Sequence, residues 1–535
     1  MRSGSAWVVV SVIVILIVAM SPEPALVTEQ RFSPDIPVPP SPPCPEGSEC
    51  AQTRICDPSV PYTPPTLSET WNASGSLRIF SSPSLVDLND DGILDVVNGM
   101  GIEEQEIGAV VALDGVNGSH LWQANASAEL FATAQFKDLN NDGKEDAIIG
   151  GRSHQLLAVD GVTGEEIWTF DDANLGNDLG VSEWFQFYTG QFIIDRNGDG
   201  VDDWLTSNGG DPSKGPGEPR SNGYMMIISG ATGEILSYAP TPDGKETYMS
   251  PIVYQPHPEM KMEVLFGTGG ETFSGSLWAT SIEAIEAGDI SNSIKLTKPN
   301  GGVEKGVMAP PAIADITHDG ILDIVAPTFD GRVVAIDGRN HSIVWTINVD
   351  EHAFEGNAVD VESYASPAIG YFTDDAIPDV FVHFAIGAFP DYSASTSLMI
   401  DGGSGEVVWK NDSTHSGFTS PLAADMNGDG RDEVIMIRGG GEMFENNGGF
   451  SFYHDIEILD SCSLTHELLA HRDRMSIGTP ALSDIDGDGV LELVTTDTTG
   501  YSGASCSIIL WSLGVDSPDS ISWSSYLGTN NDGIF

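Results

Sequence analysis

From about residue 67 onward, short apolar runs alternate with polar turns at a spacing that suits strands rather than helices. Small-residue segments such as Ser82-Pro83-Ser84-Leu85-Val86 and Thr479-Pro480-Ala481-Leu482-Ser483 open each unit. An acidic turn follows, then an apolar run such as Asp95-Val96-Val97 or Asp323-Ile324-Val325. After a variable loop comes a third run (Val111-Ala112-Leu113, Leu157-Ala158-Val159), a tight turn (Asp160-Gly161-Val162-Thr163-Gly164) and a fourth run carrying tryptophan. The step from turn aspartate to tryptophan is constant: Asp114 to Trp122, Asp160 to Trp168, Asp337 to Trp345, Asp401 to Trp409. One hairpin is therefore rebuilt each time. Counting opening runs gives eight units. Repeated four-stranded units predict an all-β chain closed as a β-propeller, which protects its sheet edges by radial repetition. Eight blades are expected, with seven plus a stray unit as the alternative. The run around Trp71 is a candidate for closing the ring, and the last unit counts as complete with Trp523.

The turn between the first two runs carries the candidate chemistry. Six units place oxygen-bearing side chains at the first, third, fifth and ninth positions of a nonapeptide, with Gly at the sixth. They are Asp87, Asn89, Asp91, Asp95; Asp138, Asn140, Asp142, Asp146; and Asp195, Asn197, Asp199, Asp203. The second half of the chain adds Asp315, Thr317, Asp319, Asp323; Asp425, Asn427, Asp429, Glu433; and Asp484, Asp486, Asp488, Glu492. Calcium takes six to eight hard oxygen ligands, and a loop of this spacing wraps one ion. The seventh residues, Ile93, Lys144, Val201, Ile321, Arg431 and Val490, would add backbone carbonyls. Gly at the sixth place permits the sharp bend. Turn preference explains Asp, Asn and Gly here, but not their fixed places. About six calcium ions are expected, weakest at the Asp315 loop, where Thr317 departs from the pattern. The units beginning at Ser250 and Ser366 have lost the loop: Pro256, His257 and Pro258 replace the acids in one, and Asp374, Asp375 and Asp379 are a remnant in the other.

The formal charge of −57, from 79 acidic and 22 basic residues, goes well beyond these loops. It implies a solvated acidic surface and excludes nucleic acid or an anionic membrane surface as partner. Residues 7–20 form an apolar run behind Arg2, the length of a signal-peptide core. Residues 1–25 thus read as a cleaved leader or an uncleaved anchor, and the rest as exported. Residues 26–66 form a proline-rich linker containing Cys44, Cys50 and Cys56, and 67–535 the propeller. Five cysteines suggest one or two disulfides and a leftover thiol. The linker cysteines are close enough to pair among themselves, while Cys462 and Cys506 stay open. Sequons at Asn72, Asn117, Asn125, Asn340 and Asn411 are possible glycan acceptors.

The nonapeptides resemble the loops of FG-GAP (VCBS) repeats, the calcium-bearing blades of the integrin α-subunit head. The Asp-Gly-x-x-Gly turn followed by Trp resembles the tryptophan-docking hairpin of quinoprotein (PQQ-like) propellers. Together the two signatures cover about residues 67–526. The first resemblance implies a calcium-stabilised surface module. The second would imply a quinone enzyme only with the adjacent cysteine pair those dehydrogenases carry, and the chain has no Cys-Cys. No Gly-x-Ser-x-Gly elbow occurs. His466-Glu467-Leu468-Leu469-Ala470-His471 has one residue too many for a zinc-protease helix and falls in a fourth-strand slot. No catalytic residue is assigned, and replacing either histidine is expected to change little. The reading is a monomeric, exported, calcium-stabilised module for cell-surface binding or adhesion. Its alternatives are a quinone-dependent or hydrolytic enzyme and an envelope-assembly scaffold. A protein or glycan ligand is expected on the face carrying the 2–3 and 4–1 loops. There Met100–Gly108, Asn208–Gly223, Gly387–Thr396 and Gly439–Gly449 vary most, with Phe389, Tyr392 and Phe444 as exposed aromatics. The membrane enters only through the N-terminal segment.

Overall fold

The computed structural model describes residues 56–535, apart from 58–59, 104, 171–185, 211–213, 215–216, 301–302, 357–359, 390, 444–449, 500–504 and 519. Residues 1–25, Cys44, Cys50 and Phe444 lie outside the described residues. Among those described, no helix is long and apolar enough to cross a membrane.

Eight antiparallel four-stranded blades follow one another along the chain, so the count of eight holds against seven. The first strands are short and mostly of small or aliphatic residues, as in Ala312–Ala314, Leu422–Ala424 and Ala481–Ser483. Hydroxyls link them around the ring. The backbone N–H of Ser366 donates to Ser420 Oγ, that of Ser420 to Thr479 Oγ1, and that of Thr479 to Ser82 Oγ, at 2.9–3.0 Å. The last of these bonds joins the final blade to the first.

The ring is closed by the N-terminal strand Ser68–Gly75, which pairs with Cys506–Asp516 as the outer strand of blade 8. Trp71 therefore fills the place that the sequence reading gave to Trp523. The fixed aspartate-to-tryptophan step has a direct cause. Four indole N–H groups donate to the glycine carbonyl of the next blade's turn: Trp71 to Gly115, Trp122 to Gly161, Trp168 to Gly230 and Trp345 to Gly402, at 2.7–2.8 Å. The second turn glycine accepts the ring. At Gly164 φ is +70°, and a Cβ would sit 2.8 Å from Trp122. Only glycine meets both demands.

Trp523 belongs to a tail that runs through the centre of the ring. Its backbone bridges Ala423 in the first strand of blade 7, and Ser524 O accepts from Leu482 N in blade 8. Further on, Ile534 bridges Ile313 of blade 5, and Asp532 O accepts from Gln191 Nε2 of blade 3. Trp523 and Leu527 are fully buried, each in one of the two largest apolar clusters. The axis is thus packed with the chain's own residues.

Two further expectations change. Cys56 bonds to Cys462 across 406 residues instead of pairing within the linker, and Cys506 is free and buried. Gly387–Thr396 is ladder rather than irregular loop, since the strands Asp379–Ala388 and Asp391–Ile400 pair out to Ala388 and Asp391. Pairing likewise carries Glu433–Met443 and Phe450–Asp460 to the tip of blade 7.

Candidate functional site

The six acidic nonapeptides fold alike. In every one the first aspartate accepts from the sixth-place glycine N–H, at 2.9–3.1 Å. The fifth residue accepts from the seventh N–H in all six. The third accepts from the fifth N–H in five. Thr317 is the exception: its hydroxyl donates to Asp323 at 2.9 Å. Each loop so curls its acidic side chains inward, and Asp484, Asp486 and Asp488 bring oxygens within 4.8 Å of one another.

The ninth residue does something different. Asp95 accepts from Leu88 N with one oxygen and from Gly115 N, in the 3–4 turn, with the other. Asp146 and Asp203 repeat this clasp on Gly161 and Gly230, and Asp323 holds Gly338 together with the third-place Thr317 N–H. Blade 6 has lost the acidic loop, yet Asp379 still accepts from Phe372 N, Thr373 N and Gly402 N. The clasp therefore belongs to the blade whether or not a full loop surrounds it. Each clasping oxygen retains a second lone pair. Burial pushes the carboxyls of Asp95, Asp323 and Asp379 up to about 6.

Glu433 and Glu492 reach the second-place N–H with one oxygen only. Burial pushes Glu433 up to about 10 and Glu492 to about 7. Glu433 Oε1, Asp87 Oδ1 and Asp484 Oδ1 are buried without a hydrogen-bond partner. Asp429, Glu433 and Asp460 crowd oxygens within 4.8 Å, all three buried, and Asp57 N donates to Asp429 O above them. Buried acids without countercharge or donors are costly. Orphaned acceptors and oxygen-only donor sets fit a hard divalent cation.

The opposite face was only partly foreseen. A large apolar side chain stands four residues before the first strand in seven blades, among them Phe80, Phe131, Tyr248, Tyr364 and Phe418. Tyr188 takes this part in blade 3. All are half-buried. Phe131 meets Tyr188 at 5.3 Å, Tyr188 meets Tyr248 at 6.2 Å, and Tyr364 meets Phe418 at 5.5 Å, edge to face. Equivalent side chains of successive blades touch only where blades converge, so these rings form a collar near the axis. Buried acids sit beneath it. Glu129 pairs with Arg152 at 2.5 Å, Glu246 accepts from Tyr248 at 2.7 Å, and Glu362 meets Lys305 and Tyr392. Phe389 and Tyr392 are half-buried in or beside this network rather than exposed. The sequence signal was present in Tyr248-Met249-Ser250-Pro251, Tyr364-Ala365-Ser366-Pro367 and Phe418-Thr419-Ser420-Pro421, an aromatic two residues before Ser-Pro.

These observations define an eight-bladed β-propeller with a filled axis, repeated acidic loops on one face and an aromatic collar on the other. The chain is similar to protein FAM234B of Gallus gallus, 23% identical over 394 residues, which cover 67% of this chain and 57% of that protein. It is likewise similar to FAM234B of Mus musculus, 24% identical over 374 residues, covering 66% and 56%. The chain thus spans little more than half the length of the curated relatives it matches. No family model matches it. Among solved structures, the quinohemoprotein alcohol dehydrogenase ADHIIG of Pseudomonas putida HK5 shares the fold with a TM-score of 0.54 at 12% identity, covering 84% of this chain and 77% of that one. A europium-containing methanol dehydrogenase gives 0.52 at 11%, covering 83% and 93%. At such identities the likeness concerns the propeller fold alone.

Proposed function

We propose that this chain is an exported, calcium-stabilised β-propeller of FG-GAP type, serving as a surface binding or adhesion module for a protein or glycan ligand. The contrast between its faces carries the reading. One face consists of near-identical loops whose side chains turn inward, which suits ion binding and offers a partner little. The other presents half-buried aromatic rings over carboxylates and cations, an arrangement that grips a ligand's apolar faces and its hydroxyls together. The tail in the axis favours a ligand held on the surface over one held within the channel. Calcium binds most weakly at the Asp315 loop, where Thr317 turns to Asp323 and Arg339 lies 2.9 Å from Asp319.

The test is a glycan array and a cell-binding assay with calcium-loaded protein, repeated with Tyr248→Ala and Tyr364→Ala. Retention that is lost in both variants, with melting temperature unchanged, supports the collar as the site. Retention that survives both, but fails when the 3–4 turns are altered, moves the site to the calcium face.

A further inference from the structure

The seam between blades 6 and 7 gathers imidazoles and carboxylates that the preceding reading leaves unused. Asp455 and Glu457 are alternate residues of the strand Phe450–Asp460 and so project from one face of the sheet. The neighbouring strand His466–Arg472 pairs with it through a bulge. Leu468 lies opposite Glu457 and Ala470 opposite Ile456, which leaves Leu469 as the extra residue. In an unbroken strand, His466 and His471 would point to opposite faces. The inserted residue restores parity and brings both to the face of the two acids. His466 Nε2 lies 2.8 Å from Glu457 Oε2, and His471 Nδ1 lies 2.6 Å from Asp455 Oδ1.

A third imidazole arrives from the connection between the blades. Nδ1 of His415 is 3.1 Å from Asp455 Oδ2. It is shielded from solvent and yet makes no hydrogen bond, to that oxygen or any other atom. The ring is packed edge-on against Tyr453 at 5.0 Å. A ring nitrogen and a carboxylate oxygen this close, but misaligned for a shared proton, stand as two ligands of one cation stand. Ligands held at about 2.0–2.2 Å around a tetrahedral ion lie roughly 3.3–3.6 Å apart. One atom each from His415, Asp455 and Glu457 falls within 4.8 Å of the others, so small side-chain rotations close the set. The guanidinium in contact, Arg438, donates to Glu457 Oε2 at 3.0 Å, leaving two acids against one fixed cation.

We propose that His415, Asp455 and Glu457 bind a divalent cation of the zinc class, with the half-exposed His471 or water completing its shell. A nitrogen with carboxylate oxygens suits such a borderline ion, whereas the all-oxygen loops suit calcium. The ion would fasten the third strand of blade 7, Phe450–Asp460, to the connection from blade 6. The assignment is independent of the calcium reading.

Full-length protein is stripped with chelator, dialysed into saturating calcium and titrated with zinc by calorimetry. One equivalent per chain is expected, bound at least about tenfold more weakly by His415→Ala and by Asp455→Asn. Asp484→Asn, in an acidic loop, should leave zinc uptake unchanged. Cobalt added to the unmutated protein should give a visible tetrahedral absorption band that zinc displaces, a readout that needs no variant. No saturable uptake with the loops calcium-filled overturns the proposal and leaves the cluster as ion pairs only. So does uptake that withstands both seam substitutions, or that Asp484→Asn removes.

Discussion

Blades 2 and 6 differ in strand length and at the turn after the first strand, yet share the contacts that hold the hairpin. Blade 2 holds the complete nonapeptide from Asp138 to Asp146, while blade 6 has Tyr371 and Thr373 where the first and third oxygen donors would stand. Both keep the ninth aspartate, and in both it accepts from the second-place N–H and from the glycine of the 3–4 turn. Both also receive the indole of the preceding blade, Trp122 on Gly161 and Trp345 on Gly402. One motif thus contains two devices: a clasp made by blades 1, 2, 3, 5 and 6 with or without a full acidic loop, and an inward ring of oxygens needed only for an ion.

Removing calcium should give the largest effect. Modules of this class bind at about 10⁻⁴–10⁻³ M, so tenfold excess gives roughly 1.4 kcal/mol per site. Six sites sum to about 8 kcal/mol, against the ~5–15 kcal/mol of a whole domain. Chelation should lower the thermal midpoint steeply; an unmoved midpoint would mean that the loops are plain turns. Next in size, Asp379→Ala strands buried backbone donors and should cost about 3 kcal/mol with or without calcium. Asp138→Ala loses only exposed loop bonds without calcium and should cost much more while calcium is present. Denaturant curves of both variants, each with and without chelator, separate the clasp from the ion ring; equal calcium dependence would merge them.

Gly164→Ala and Gly405→Ala should each cost about 2 kcal/mol, because both positions combine positive φ with an indole where Cβ would go. The loss should be the same in blade 2 and blade 6 and indifferent to calcium, which matched melting curves would check. The smallest effect concerns pH. Glu492 and Asp379 have folded pKa values raised by burial to about 7 and about 6. A raised carboxyl favours folding when protonated, and that contribution is lost as pH rises through the folded value. Calcium-free protein should therefore gain stability as pH falls from 8 to 5. Calcium should cancel the part due to Glu492 and leave that of Asp379. A calcium-free profile that falls towards pH 5 would contradict the sign.

The repeated parts of this architecture were legible because each copy is local. The blade count, the turn-to-tryptophan step and the loop register all follow from spacings within a few dozen residues. What escaped was made once, between distant segments. Trp71 completes a blade whose other strands lie more than 400 residues away, and Cys56 meets Cys462 across a similar span. No periodicity marks such contacts. Trp523 misled because it follows Asp516 at nearly the interval of a docking hairpin, one residue short. The ninth acid was read only as a ligand, since the two N–H groups it holds are backbone and leave no trace in residue type. The five-residue step keeps His466 and His471 off one helical face, and only the bulge at Leu469 brings them to one face of the strand.

The tail through the ring orders events during synthesis. Ser68–Gly75 leaves the ribosome early and must wait for its partner Cys506–Asp516, and the residues that fill the hub emerge later still. Until they arrive, eight blades surround a hollow lined with aliphatic side chains. A chain released short of Trp523 would carry every blade and still lack a hub, a defect exposed to chaperones and proteases rather than hidden from them. Closure of the ring and filling of its hub therefore both wait on segments that follow blade 7 in sequence.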